Sequence, residues 1–142
     1  MGLSVPVWPR HIEEIRDHEM KSIGLNQMSD TELVSEFVAA AKARGLAVTE
    51  LDSRCANVWF DRMKAVDQEL RARGTAARMA LGPLLDVPDR FVRYYAAIYL
   101  LALMPDEART VLEWNAAYGA DTLGADARGF LQAIDDGSYK PN

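Results

Sequence analysis

The chain has 142 residues, 49% of them apolar, a length and composition that suit one globular domain able to bury a core of its own. Sixteen basic against twenty-one acidic side chains give a net charge of −5, which disfavours nucleic-acid binding because affinity for phosphate backbones depends on clustered Lys and Arg. The single cysteine excludes an intramolecular disulfide and fits a reducing compartment.

The first segment, residues 1–27, is interpreted as an extension that contains one short helix, His11–Ser22. It has no basic start followed by an apolar run, so we expect no secretory signal. The most apolar window, Phe91–Met104, is too short to cross a hydrocarbon layer about 30 Å thick. We therefore expect a cytoplasmic protein without membrane association. One hypothesis is that the native product starts at Met28, which directly precedes a helix start.

Two long helices are predicted in the first half of the chain. Ser29 and Glu32 have the spacing of a capping box, and Gly45 is expected to end the helix that begins there. The second helix is predicted over Thr49–Arg73, where apolar residues recur with a helical period and Gly74 follows. Its apolar stripe consists of Leu51, Cys55, Val58, Trp59, Met63, Val66 and Leu70.

Four further helices are predicted in the second half, as two helix-turn-helix pairs. The pairs are Thr75–Leu85 with Pro88–Met104, and Asp106–Tyr118 with Leu123–Asp136. Pro88 is expected in the first turn of its helix, where a missing amide costs nothing. A spacing of about 30 residues between pairs is typical of stacked helical repeats. Strand patterns are absent from the sequence, so we predict an all-α domain over residues 28–142, with six or seven helices in total.

The order Leu84-Leu85-Asp86, then Val92-Arg93 and Ala96-Ala97, resembles a HEAT repeat. In that family the Asp of the turn and the Arg of the second helix align neighbouring units. The resemblance therefore implies a structural role for Asp86 and Arg93, beside that of Pro88 at the helix start. It also implies a HEAT-like α-α superhelix for the domain.

Three short motifs carry a second resemblance, which extends from about Met28 to the C-terminus. They are Val92–Ala97 with Tyr99–Leu101, then Pro105–Ala108, then Leu123–Arg128. These motifs are similar to those of a small bacterial family known only as a domain of unknown function, number two thousand and nineteen in its series. What this resemblance implies is a compact α-superhelix similar to HEAT repeats, with no established activity.

Two groups of side chains suggest chemistry, and each also has a structural interpretation. His11, Glu14 and His18 fall near one helical face and combine imidazole with carboxylate, as zinc or iron sites do, but they lack an obvious fourth ligand. A solvated polar face is the simpler interpretation. Cys55 lies in an apolar stripe, where a thiol is usually a small core residue. We therefore expect no catalytic residue, no metal site and no cofactor.

Four side chains are candidates for contact with a partner: Arg90, Tyr94, Trp114 and Tyr118. The helix dipole disfavours a cation at a helix start, so Arg90 suggests an outward contact. Trp114 and Tyr118 are four residues apart on one helix. Exposed together they would resemble a binding hot spot, but burial of both in the core is the interpretation that we favour.

These observations favour a non-catalytic helical-repeat protein that binds another protein. The alternative is a small-molecule-binding protein or enzyme, with a pocket between helices near Trp59, Tyr94 and Trp114. A nucleic-acid partner is disfavoured, because acidic side chains interrupt every basic stretch. A homodimer through Val111 and Leu112, or through the N-terminal helix, stays open.

Overall fold

The computed structural model describes residues 22–142, and this part of the chain is helical with no β-strand. The prediction of an all-α chain is confirmed. The six α-helices are α1 Asp30–Thr49, α2 Ser53–Arg73, α3 Thr75–Arg78, α4 Arg90–Leu100, α5 Pro105–Tyr118 and α6 Thr122–Asp135. Two 3₁₀ helices cover Ser22–Gln27 and Met79–Asp86. Apart from Ser22, the predicted helix His11–Ser22 lies outside the described residues.

The chain divides into two compact units, Met1–Arg73 and Gly74–Asn142. In the first unit, α1 and α2 are antiparallel, since Arg73 at the end of α2 pairs with Asp30 at the start of α1, Nη1 to Oδ1 at 2.9 Å. Both helices contribute large buried side chains. These are Leu33 and Phe37 from α1 and Trp59, Met63, Val66 and Leu70 from α2.

The start of α1 is the predicted capping box. The Glu32 amide donates to Ser29 Oγ at 3.1 Å, and the Ser29 amide donates to Glu32 Oε1 at 2.8 Å. Two amides that the first helical turn leaves without partners are satisfied in this way. The sequence signal was sufficient here because both donors and both acceptors lie within four consecutive residues.

The end of α1 differs from the prediction. Gly45 is buried inside the helix, which continues to Thr49. The stop is Leu51, whose φ of 58° is left-handed and whose amide bonds back to Val48. As a result α2 begins at Ser53 rather than Thr49. Packing of α1 outweighs the low helix propensity of one glycine, which is about 1 kcal/mol.

The second unit is built on α4, α5 and α6, and each of these helices is antiparallel to the one before it. Arg90 at the start of α4 donates to Asn115 near the end of α5, Nε to Oδ1 at 2.8 Å. Arg109 in α5 reaches Asp135 at the end of α6, Nη1 to Oδ1 at 3.0 Å. Beside the buried rings of Tyr94 and Tyr95, the interior of this unit is made mostly of small and aliphatic side chains. They include Val92, Ala96, Ala97, Leu100, Ala108, Leu112, Leu123 and Ala127.

The segment before α4 is less regular than predicted. In place of one helix over Thr75–Leu85, a single α-helical turn is followed by the 3₁₀ helix Met79–Asp86, which contains Pro83. Proline lacks an amide and its ring clashes with the preceding turn, so an α-helix cannot continue through it without cost. The expected HEAT-like superhelix stays a prediction. None of the helices within residues 22–142 is long and apolar enough to cross a membrane.

The boundaries of α4 also correct the prediction. Pro88 lies ahead of the helix rather than in its first turn, because Asp89 is the N-terminal cap: its Oδ1 accepts from the amides of Phe91 and Val92 at 2.9 and 3.1 Å. The helix ends at Leu100, four residues before the predicted Met104. Pro88 therefore shapes the turn that precedes α4, and the acid after it starts the helix.

The loop from α5 to α6 brings two glycine backbones into contact. Gly119 and Gly124 are both buried. A Cβ on Gly119 would lie 2.9 Å from the Gly124 Cα, and a Cβ on Gly124 would overlap the Gly119 carbonyl. The obstructing atoms are backbone, which cannot rotate away. The short connection between α5 and α6 therefore requires glycine at both positions.

We expect Gly124→Ala to lower the free energy of unfolding by about 1–3 kcal/mol, the usual cost of overpacking a tight site. Urea denaturation of the whole chain measures it. The control is Gly129→Ala in the same helix, where an added Cβ meets no atom within 4 Å. That variant should be more stable by about 0.5–1 kcal/mol, because alanine favours a helix interior. Equal effects from both substitutions would contradict the proposed contact.

Candidate binding surface

Arg90 is half-buried and bonds to other residues of the second unit, while its predicted contact with a partner stays a prediction. Its Nη1 and Nη2 donate to both carboxylate oxygens of Asp121 at 2.7 and 2.8 Å, and its Nε donates to Asn115, which is fully buried. Asp121 Oδ1 also accepts from the Gly124 amide at 3.1 Å and so caps α6. One guanidinium therefore joins the start of α4, the end of α5 and the start of α6.

The two charges of this pair stabilise each other's ionised form. The hydrogen bonds from Arg90 hold the pKa of Asp121 far below its ordinary value, with the Gly124 amide adding to the effect. The same pair raises the pKa of Arg90. Because the pKa of Asp121 is depressed on folding, its ionised form contributes stability above its ordinary pKa of about 4, and that contribution is lost as the pH falls below it.

Arg93 bonds to its own turn rather than to Asp86. Its Nη1 donates to the carbonyls of Val87 and Pro88 at 2.8 and 2.9 Å, within the turn that precedes its own helix. The guanidinium carbon also lies 5.5 Å from the centroid of the Trp114 ring. Arg93 therefore connects this turn to α5. Asp86 is exposed, and no other described side chain makes a hydrogen bond or ion pair with it.

Trp114 and Tyr118 form an exposed aromatic pair on α5. Their ring centroids are 5.5 Å apart with planes inclined by 45°, and the residues are 46% and 73% exposed. Tyr94 differs: it is 3% exposed and its ring meets the edge of Tyr95. A buried tyrosine cannot contact a partner directly, which corrects its place among the candidates. Trp114 and Tyr118 are exposed, so the favoured interpretation, burial of both rings in the core, is wrong.

A cleft of about 680 Å³ adjoins Trp114 within the second unit. We call it the α5 cleft. Its walls come from the 3₁₀ helix, α4 and α5, and they combine apolar with polar side chains. The lining residues are Gly82, Leu85, Asp86, Arg93, Met104, Glu107, Thr110, Val111 and Trp114. Neither Trp59 nor Tyr94 is among them, and both are buried, so the predicted pocket shares only Trp114 with the observed cleft.

The charged side chains that line the α5 cleft differ in whether another residue neutralises or binds them. Arg93 is already engaged with backbone carbonyls. Asp86 and Glu107 are exposed, and neither makes a hydrogen bond or ion pair with any described residue. The sequence does not identify Glu107 as a candidate site residue, because acidic residues are common in the first turn of a helix. Its position in the cleft depends on how the 3₁₀ helix packs, which no local pattern reveals.

The first unit contains charged residues whose burial the sequence does not indicate. Arg62 is 5% exposed and pairs with Glu36, Nη2 to Oε1 at 3.1 Å, while Asp67 is 4% exposed and pairs with Arg71 at 2.6 Å. Cys55 is buried as well. These contacts do not build a metal site: the described residues hold no cluster of three or more His, Cys, Asp or Glu. His11, Glu14 and His18 lie outside the described residues.

We expect Asp121→Asn to reduce the acid sensitivity of folding. Asparagine still offers an oxygen to cap α6, but it cannot form the ion pair with Arg90, so stability at pH 7 should fall by about 0.5–1 kcal/mol. Between pH 4 and pH 2 the wild-type protein should lose stability that the variant never had, and their curves should converge.

The measurement is the midpoint of urea unfolding as a function of pH. Asp126→Asn is the matched control, since Asp126 lies on the same helix, is exposed and makes no hydrogen bond or ion pair with any described residue. Its curve should run parallel to that of the wild type. Parallel curves for Asp121→Asn would show that the Arg90 pair does not contribute to stability.

Comparison with known proteins places this architecture in a family. The family model described as a domain of unknown function, DUF2019, matches residues 31–135. The crystal structure of the protein RPA1889 from Rhodopseudomonas palustris CGA009 is similar, with a TM-score of 0.78 and 32% sequence identity over 83% of this chain and 98% of that one. No curated protein matches. The predicted family resemblance is confirmed, and the chain belongs to the DUF2019 family.

Proposed function

We propose that this protein is a non-catalytic binding module that holds another protein on the aromatic pair and the α5 cleft. The observation that carries the proposal is the exposure of Trp114 and Tyr118 side by side on α5. Tryptophan and tyrosine are the residue types that most often dominate binding energy at protein interfaces. Exposed to water, these two rings contribute little to the fold, and a partner would remove that apolar surface from solvent.

The surface is also rigid, which lowers the entropic cost of binding. Trp114 packs against Tyr118 on one side of the helix and against the Arg93 guanidinium, whose own position is fixed by two carbonyls. The end of α5 is tied to α4 through Asn115 and Arg90. A partner would therefore meet rings whose orientation is already set.

Three features support binding rather than catalysis at this surface. Asp86 and Glu107 are both exposed, whereas acid catalysis by paired carboxylates usually needs one of them in an apolar pocket. Arg93 is occupied by backbone carbonyls. The remaining polar lining residue is Thr110, which donates to the Asp106 carbonyl at 2.9 Å.

The fold type, the cellular compartment and the class of partner are also part of the proposal. We propose a HEAT-like scaffold in the cytoplasm, supported by the antiparallel order of helices within each unit and by the presence of one cysteine in the sequence, the buried Cys55. A protein partner suits the surface better than nucleic acid, because Arg93, which lies against Trp114, donates to backbone carbonyls, and the acids Asp86 and Glu107 of the same cleft pair with no described residue.

A second candidate function is small-molecule binding in the α5 cleft. Its volume of about 680 Å³ lies within the usual range for ligand sites, roughly 300–1,000 Å³. Native mass spectrometry of the protein purified from its own cell distinguishes the two functions. A small molecule that co-purifies with the wild type and is lost in Trp114→Ala would favour this second function and count against the first.

We expect the double variant Trp114→Ala/Tyr118→Ala to keep its fold and lose its partner. Since Trp114 and Tyr118 are 46% and 73% exposed, the free energy of unfolding should change by less than about 1 kcal/mol, while partner affinity should fall at least about 30-fold, as for truncated hot spots. The measurement is quantitative capture from native extract after crosslinking, followed by titration of the captured protein.

Phe60→Ala is the matched control. Phe60 is also an exposed aromatic, 39% exposed, with the Arg44 guanidinium carbon 4.9 Å from its ring centroid. The control should retain the partner. A partner that binds the double variant as well as the wild type would contradict the proposal, and so would capture of no specific protein by the wild type.

A further inference from the structure

We propose that the partner segment seated in the α5 cleft is basic, with Lys or Arg side chains entering beside an apolar anchor on the aromatic pair. This inference rests on the proposed function and states the chemistry of its partner. An apolar surface alone would bind partner segments of many different sequences. The charge of the cleft restricts which partner segments can bind.

The first argument is the pairing of charges in the cleft itself. Asp86 comes from the end of the 3₁₀ helix and Glu107 from the first turn of α5, and both line the same cleft. Neither makes a hydrogen bond or ion pair with a described residue. Arg93, the cation of the lining, donates to the carbonyls of Val87 and Pro88. Within residues 22–142, the charge of the cleft that has no counter-ion is therefore negative.

The second argument concerns the unit as a whole. Residues 74–142 contain nine acidic and six basic side chains. All five arginines among these bases donate to acceptors within the unit. They are Arg78 to the Tyr99 and Asn142 carbonyls, Arg90 to Asp121, Arg93 to Val87 and Pro88, Arg109 to Glu113 and Asp135, and Arg128 to Ala116 and Gly119. The field of the unit should attract a basic partner and speed its approach.

The third argument is the mixed character of the cleft walls. Leu85, Met104 and Val111 offer apolar surface along which the aliphatic stem of a lysine or arginine can lie, while the carboxylates meet its charged head. The ring of Tyr118, 73% exposed, offers a face to a cation or to an apolar anchor. A neutral or acidic segment would cover Asp86 and Glu107 without supplying a counter-charge, which is costly.

The position of Glu107 also has a purely structural explanation, which gives the experiment its control. Acids in the first turn of α5 interact favourably with the positive end of the helix. Asp106 shares that turn and likewise makes no side-chain hydrogen bond or ion pair with a described residue, but it does not line the cleft. Removing charge at Asp106 therefore reproduces the effect on the helix without the effect on the cleft.

The probe is a random peptide library displayed on phage and selected against the full-length protein, with selected sequences then synthesised and titrated by calorimetry. We expect enrichment of peptides that combine Lys or Arg with aromatic or aliphatic residues, bound more weakly as salt rises. The variant Asp86→Asn/Glu107→Gln should bind them about tenfold more weakly, since two exposed ion pairs are lost. Asp106→Asn should change affinity less than about twofold.

Two results separate failure of this inference from failure of the proposed function. The selected peptides could be neutral or acidic, and could bind the wild type but not Trp114→Ala/Tyr118→Ala. That result would contradict the inference of a basic partner but would still support the proposed binding surface. Peptides that bind that double variant equally well would overturn both. If light scattering shows a dimer that the double variant dissociates, a second copy of the chain occupies the surface, and the basic segment is excluded.

Discussion

One ion pair, between Arg90 and Asp121, connects the three long helices of the second unit. Arg90 stands at the positive end of α4, an unfavourable place for a cation, and the bidentate contact with Asp121 offsets that cost. The same arginine reaches the buried Asn115, which fixes the end of α5. Since α5 carries both the aromatic pair and one wall of the cleft, the geometry of the candidate surface follows from this contact.

Much of the architecture is predictable because its signals are local. Ser29 and Glu32 specify the start of α1 within four residues, and Pro105 with two acids specifies the start of α5. The family resemblance adds the overall helix order. Local sequence signals give the wrong helix end where they compete with packing. Gly45 is expected to end α1, but it is buried and the helix continues past it, so Leu51 adopts the left-handed backbone conformation that follows the helix.

The candidate surface is only partly predictable, for a different physical reason. The contact between Arg90 and Asp121 joins residues 31 positions apart, and nothing local distinguishes it from a free arginine. Arg93 donates to nearby carbonyls rather than to Asp86, and no other residue in the described part of the chain pairs with that acid. The sequence alone also does not reveal that Tyr94 is buried and Trp114 exposed. Tyr94 stands in a run of four consecutive buried residues of α4, Tyr94–Ala97, so periodicity alone does not single out its inward face.

The central claim is that a partner docks on the aromatic pair and the α5 cleft. It is tested most directly by titrating ¹⁵N-labelled protein with its captured partner and following the indole signals by NMR. The account predicts that the Trp114 indole N–H shifts together with amides of α5 and the 3₁₀ helix before α4, while the signal of Trp59, which is 3% exposed, stays in place. Shifts confined to α1 and α2, with the Trp114 indole unmoved, would contradict it.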